Sequence, residues 1–157
     1  MKRLLFYTIF SLFLSFAVNA TTTNIQNCFY ECCFGCSYDE IMGKLVLQDF
    51  KVEKHASYLV VDGVFFGGVY FDKVLFRFKK NVFYCIEFYS DDNSDTQELH
   101  RKIVNKYNCF NIKDISASAC DDLGRSVVSC FVSVDRYKYM LSYKDERLYD
   151  LCNSNDI

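Results

Sequence analysis

Between Tyr58 and Tyr89 the chain carries three successive runs of alternating apolar and polar residues, and the first two meet at Gly67-Gly68. A glycine pair accepts the positive φ angles of a two-residue hairpin turn, so the junction predicts strands over 58–66 and 69–79. With those two residues as the loop, Phe66 faces Val69, Val61 faces Val74 and Asp62 faces Lys73. The last is an opposite-charge pair across the ladder. Unbroken alternation then places Leu59, Val61, Phe65, Val74 and Phe76 on one face. The other face receives Val60, Val64, Phe66, Val69, Phe71 and Leu75, which is too apolar for a solvated surface. A third strand follows over 82–89, with Val82, Tyr84, Ile86 and Phe88 in phase.

Helices flank this β region. Ser37-Tyr38-Asp39-Glu40 has the Ser-x-x-Glu form of a capping box. Met42, Val46 and Phe50 recur every four residues with Ile41 and Leu45 beside them, which predicts a helix over about 38–49. A short strand over 51–55 leads into the hairpin. Ser94-Asp95-Thr96-Gln97 is a second capping box, Leu99, Ile103 and Tyr107 mark a second helix face, and Asn108 suits a left-handed stop. Strands are expected over 112–120, 126–134 and 137–144, with a turn at Asp121-Asp122-Leu123-Gly124.

The two halves match. An offset of 57 carries Ser37 to Ser94, Met42 to Leu99 and Val46 to Ile103; 56 carries Val74 and Phe76 to Cys130 and Val132; 55 carries Tyr84 and Ile86 to Tyr139 and Leu141. An offset that shrinks at each loop is what trimming of a duplicated unit produces. The expected fold is α+β: two α-β-β-β repeats, about 37–89 and 94–144, forming one antiparallel sheet with two helices on one face. Met42, Val46, Leu99 and Ile103 should all be buried.

Met1-Lys2-Arg3, an apolar run to Val18 and the small-residue exit Val18-Asn19-Ala20 have the form of a secretion signal. The run is shorter than the roughly 20 residues of a spanning helix. The expected organisation is a signal peptide at 1–20, a cysteine-rich segment at 21–36 and one domain at 37–157, with no transmembrane segment after signal removal. Losing Lys2 and Arg3 takes the net charge from −2 to −4. That balance argues against nucleic acid as a partner and leaves a secreted or periplasmic protein with an unknown protein partner.

Nine cysteines in an exported chain predict disulfides, and the odd number leaves at least one thiol over. Cys28, Cys32, Cys33, Cys36 and Cys152 are the disulfide candidates, the first four mostly oxidised and one of them reaching Cys152. Cys130 alternates with Val132 and Val134 and is expected as a buried thiol. The alternative use of the Cys28–Cys36 cluster is thiol-based redox or metal chemistry. Cys33-Phe34-Gly35-Cys36 stands just before a helix start, which lowers a thiol pKa. No strand precedes it as in a thioredoxin-like unit, however, and the chain has no proline to oppose it. Adjacent Cys32-Cys33 fits paired-knuckle zinc spacing poorly. His55 and His100 have no nucleophile nearby in sequence. No catalytic residue, metal or cofactor is therefore assigned.

Val61-Asp62-Gly63-Val64-Phe65-Phe66-Gly67 resembles the apolar-x-Gly-x-Phe-x-Gly strand of a family of small secreted proteins from gut Bacteroidetes. Leu99 through Lys106-Tyr107-Asn108 resembles that family's helix ending in Lys-Tyr-Gly, with Asn in place of Gly. The resemblance spans about 38–144 and implies a two-repeat fold similar in outline to β-lactamase-inhibitory protein. It implies no activity, and the cysteine cluster departs from the pattern. Phe65, Phe66, Tyr70 and Phe71 around the hairpin turn are the candidate partner-binding residues, since aromatics concentrate at interface hot spots. Burial under the N-terminal cysteine segment is the competing explanation for them. The functional expectation is an exported, non-enzymatic protein-binding module, with an inhibitor or immunity role as a subtype.

Overall fold

A computed structural model describes residues 25–91, 96–107, 115–120, 126–135 and 138–154. The signal segment, Ser94 and Asp95 of the second capping box, Asn108, Cys109 and the 121–124 turn lie outside the described residues. The described elements are mixed, with strands dominating. A small hairpin, β1 (Cys28–Phe29) and β2 (Cys32–Cys33), precedes helix α1 (Tyr38–Leu47). Then come β3 (Val52–Lys54), β4 (Tyr58–Phe66), β5 (Val69–Lys79) and β6 (Val82–Ser90). Helix α2 (Thr96–Tyr107) leads to β7 (Ile115–Cys120), β8 (Ser126–Asp135), β9 (Lys138–Asp145) and α3 (Glu146–Leu151). The seven strands after α1 form one sheet in the order β3-β4-β5-β6-β9-β8-β7, antiparallel at every junction. Among the described residues no helix is long and apolar enough to cross a membrane.

Helix α1 starts where its capping box places it. Glu40 N donates to Ser37 Oγ, and Ser37 N donates to Glu40 Oε2 at 2.8 Å, so two end donors are satisfied. Its buried stripe is Ile41 and Leu45, with Met42 part-buried beside them. Val46 was expected in the core and is instead 51% exposed. A helix turns about 100° per residue, so a face centred on Ile41 and Leu45 rotates Val46 past its edge. Leu99 and Ile103 of α2 are buried in the same cluster as Ile41 and Leu45. That cluster also takes in Phe76, Phe83, Ile86 and Phe88 from the sheet centre and Tyr139, Leu141 and Tyr143 from β9. Each such side chain removes enough apolar surface from water to contribute roughly 1.5–3 kcal/mol.

The β4–β5 register is the one the glycine turn dictates: Phe66↔Val69, Val61↔Val74 and Asp62↔Lys73. Alternation, however, does not run unbroken. In β4 the buried positions of the common core are Leu59 and Val61, then Val64, with Val60 buried outside that cluster; in β5 they are Val69 and Phe71, then Val74, Phe76 and Phe78. Both strands thus spend one extra residue at the same level, where Asp62, Gly63, Asp72 and Lys73 are all exposed. Register is kept, while the inward phase changes in both strands at once. Gly63 has φ +66°, which a glycine adopts without a Cβ penalty. The second apolar face expected from simple alternation therefore shrinks to Val60 and its cross-strand partner Leu75, which stay outside the common core. Val64, Phe66, Val69 and Phe71 point into the common core, and Phe65 leaves it.

Two features are absent from the sequence-based expectation. The first is α3, capped by Asp145, whose Oδ1 accepts from Arg147 N at 3.0 Å and Leu148 N at 3.1 Å. It lies over β6, β8 and β9, with the Tyr149 ring 5.4 Å from Tyr84 and 3.7 Å from Lys144 Nζ. The second is the β1–β2 hairpin, which precedes α1.

Candidate functional site

The tip of the β4–β5 hairpin is where exposed aromatics gather. Gly67 (φ +61°) and Gly68 (φ +85°) form the turn, both in the left-handed region that a two-residue hairpin of this twist demands. Directly behind it, Phe65 and Tyr70 are cross-strand partners whose rings meet edge-on at 5.3 Å. Phe65 is 70% exposed and Tyr70 45%. The Tyr70 ring leans over Gly63, and a Cβ added there would stand 3.0 Å from its hydroxyl oxygen. Of the four aromatics proposed from sequence, these two are at the surface. Phe71 is fully buried and Phe66 is part-buried against Phe88 at 4.5 Å, because the phase change turns them inward. Phe65 and Tyr70 are thus the two of the four with rings open to solvent.

The N-terminal hairpin braces this tip from below. Phe29 is 2% exposed and touches Phe66 at 5.8 Å, Phe88 at 6.0 Å and Tyr143 at 4.9 Å. Tyr30 donates its hydroxyl to the Phe65 carbonyl at 3.0 Å, and its ring meets Phe50 edge-on at 5.4 Å. Burial pushes the Tyr30 phenol above its ordinary range. The loop residues Tyr30 (φ 50°) and Glu31 (φ 63°) are both left-handed without being glycine. Such residues cost of order 1–3 kcal/mol each and persist only where their surroundings hold them. Here Gln48 Nε2 donates to the Tyr30 carbonyl at 2.7 Å, and Lys44 Nζ to the Glu31 carbonyl at 2.8 Å.

A disulfide joins Cys28 to Cys33 across the two strands. Closing so short a loop restricts the unfolded chain by about 2 kcal/mol on a chain-entropy basis. Cys32, Cys36 and Cys152 keep their thiols, so the expectation of a mostly oxidised cluster reaching Cys152 holds only for the Cys28–Cys33 pair. The physical reason is strand alternation: Cys28 and Cys33 share one side of the hairpin, while Cys32 faces the core with Phe29. Burial raises the Cys32 thiol to about 11, opposed by the Lys44 charge and reinforced by Cys36 and Glu31. Cys152 donates to the Lys79 carbonyl at 3.4 Å. Cys130 pairs with Tyr143 in the ladder, and its thiol lies outside the described residues.

On the sheet face opposite α1 and α2, Arg77 Nε stands 2.7 Å from Glu87 Oε2, an ion pair whose N–H does not line up with the oxygen. Tyr89 donates to the same oxygen at 2.7 Å, and the Tyr58 ring lies 5.9 Å from the guanidinium. Cys85 is buried beside them, its thiol pushed up to about 12 by burial first and by Glu87 second. A thiol at that level is protonated near neutrality and is a poor nucleophile. His55 Nε2 pairs with Glu53 at 2.8 Å and stacks on Tyr58; the His100 side chain lies outside the described residues. Among the described residues no three His, Cys, Asp or Glu side chains converge as a metal site would require. The chain matches no family model, no curated protein and no solved structure.

Proposed function

We propose that this is an exported, non-enzymatic protein-binding module, secreted or periplasmic, with Phe65 and Tyr70 as its contact anchors. The observation that carries the reading is the exposure of this ring pair on a braced tip whose other aromatics are packed inward. Large rings held rigid at the surface present contact area at little further entropic cost, which is how interface hot spots work. The Cys28–Cys33 bridge is compatible with an oxidising compartment. An inhibitor or immunity role is the subtype we favour, on the outline of the fold. In that outline two α-β-β-β units follow α1 and α2, meet at β6 and β9, and resemble the small secreted Bacteroidetes proteins and β-lactamase-inhibitory protein. The strand order, with β6-β5-β4-β3 running outward on one side of that junction and β9-β8-β7 on the other, each in chain continuity, supports the two-unit reading.

A thiol-based enzyme is the competing reading. Free thiols at Cys32 and Cys36 favour it, and the raised Cys32 pKa opposes it. Immobilised protein challenged with the exported fraction of its own cells separates the two. The binding reading expects capture of one saturable protein partner that is lost with Phe65→Ala/Tyr70→Ala and retained with Cys36→Ser. Dithiol oxidase or disulfide reductase turnover that depends on Cys36, without such capture, would overturn it.

A further inference from the structure

We propose that the Cys28–Cys33 bridge is a redox-sensitive latch on the β4–β5 tip, opened by an external dithiol, so that reduction loosens the surface carrying Phe65 and Tyr70. The proposal rests on reading that surface as the contact site and adds a control over it.

Four observations lead to it. The β1–β2 ladder has only two residue pairs, Cys28↔Cys33 and Phe29↔Cys32. A two-pair ladder is too short to stand by itself. Its turn is built from two left-handed residues with full side chains, Tyr30 and Glu31, so the local backbone opposes the hairpin rather than favouring it. The hairpin is also wired to the tip: Tyr30 donates to the Phe65 carbonyl, and Phe29 packs under Phe66. Finally, Cys28 and Cys33 are half-buried, within reach of solvent, whereas Cys32 beside them is completely enclosed.

The chemistry is redox-balanced. A thiolate of the dithiol attacks one sulfur of the bridge, the Cys28–Cys33 bond breaks, and a mixed disulfide forms. The second thiol of the reductant then displaces the protein sulfur. Two electrons and two protons end on Cys28 and Cys33 as thiols, and the reductant leaves as its own cyclic disulfide. Without the cross-link only the Gln48 and Lys44 hydrogen bonds and the packing of Phe29 and Cys32 hold the left-handed turn, so the hairpin opens more often and with it the Tyr30 tie to the tip.

Hydrogen exchange read by mass spectrometry on the full exported chain tests this, before and after dithiothreitol. The latch predicts exchange about ten-fold faster at residues 28–33 and 64–70, with the 83–88 amides unchanged and protection restored on reoxidation. Unchanged tip protection in the reduced protein overturns it, and so does loosening of 83–88 together with the tip. Cys28→Ser/Cys33→Ser should reproduce the reduced pattern without reductant. If that variant does not fold, the reduced natural chain still decides the matter. No partner takes part in this measurement, so its failure leaves the binding reading standing, and a failed capture leaves the exchange result standing.

Discussion

The Tyr30 hydroxyl donates to the Phe65 carbonyl at 3.0 Å across 35 residues of chain, tying the turn of the N-terminal hairpin to the tip of the β4–β5 hairpin. The bond is solvent-accessible, so its net worth is at the low end for a hydrogen bond, about 0.5 kcal/mol. Tyr30→Phe keeps the ring on Phe50 and removes only the donor. Urea unfolding should shift by that small amount, while amide exchange at 64–66 accelerates noticeably more than at the sheet centre.

Gly67 is required for two independent reasons. Its φ is +61°, and a Cβ there would stand 2.6 Å from Leu99 Cδ1 of α2. Gly67→Ala should destabilise the protein by about 1–3 kcal/mol, read as a lowered denaturation midpoint. Gly68 is also left-handed but meets nothing within 4 Å. Gly68→Ala should therefore cost less, and an equal cost at the two sites would contradict the close approach of α2.

Strand register and the first helix start were legible because each rests on local chemistry: the Gly67-Gly68 turn fixes the pairing, and Ser37 with Glu40 fixes the cap. The phase change at Gly63 was not legible. A positive φ at a glycine leaves no mark on the hydrophobic pattern beyond Asp62-Gly63 themselves, and the matching extra residue in β5 shows only as two successive polar residues, Asp72 and Lys73. That pair of signals, at opposed positions of one hairpin, could have been found. The β1–β2 hairpin was hidden for another reason. Its turn uses Tyr30 and Glu31 where a left-handed loop favours Asn or Gly, and its strands are too short to show a period. Phe65 and Tyr70 were among the four aromatics legible around the turn, but alternation also assigned Phe65 to the core face, so the structure alone separates this exposed pair from the inward Phe66 and Phe71.

Glu40 links stability to pH. Backbone and side-chain hydrogen bonds from Ser37, and then the Lys44 charge, lower its carboxyl pKa below the usual glutamate value. A group whose folded pKa is depressed stabilises the fold above its unfolded pKa and loses that contribution as pH falls through the folded one. Thermal stability should thus decline on acidification through and below the ordinary carboxylate range. Glu40→Gln should flatten that part of the profile. A profile unchanged by the substitution would show that the capping carboxylate carries none of it.

Cys85 should behave as an inert thiol. Its pKa is pushed up to about 12 by burial and by Glu87, and Ser142 Oγ lies 3.7 Å away. Iodoacetamide at neutral pH should leave Cys85 unmodified in the native protein, while half-buried Cys36 is labelled. Labelling of Cys85 should appear only in denaturant. Rapid native labelling would mean that the outer sheet face is open to reagent at this point.

The binding account turns on whether Phe65 and Tyr70 serve a partner rather than the fold. The direct measurement sets thermal denaturation beside affinity for the captured partner, for the natural chain, for Phe65→Ala/Tyr70→Ala and for Phe71→Ala. Fully buried Phe71 should cost about 3–5 kcal/mol of stability when truncated. The account predicts that the surface double variant stays within about 1 kcal/mol of the natural stability and loses at least roughly ten-fold in affinity. A double variant that unfolds like Phe71→Ala, or that binds its partner as tightly as the natural chain, would contradict the account.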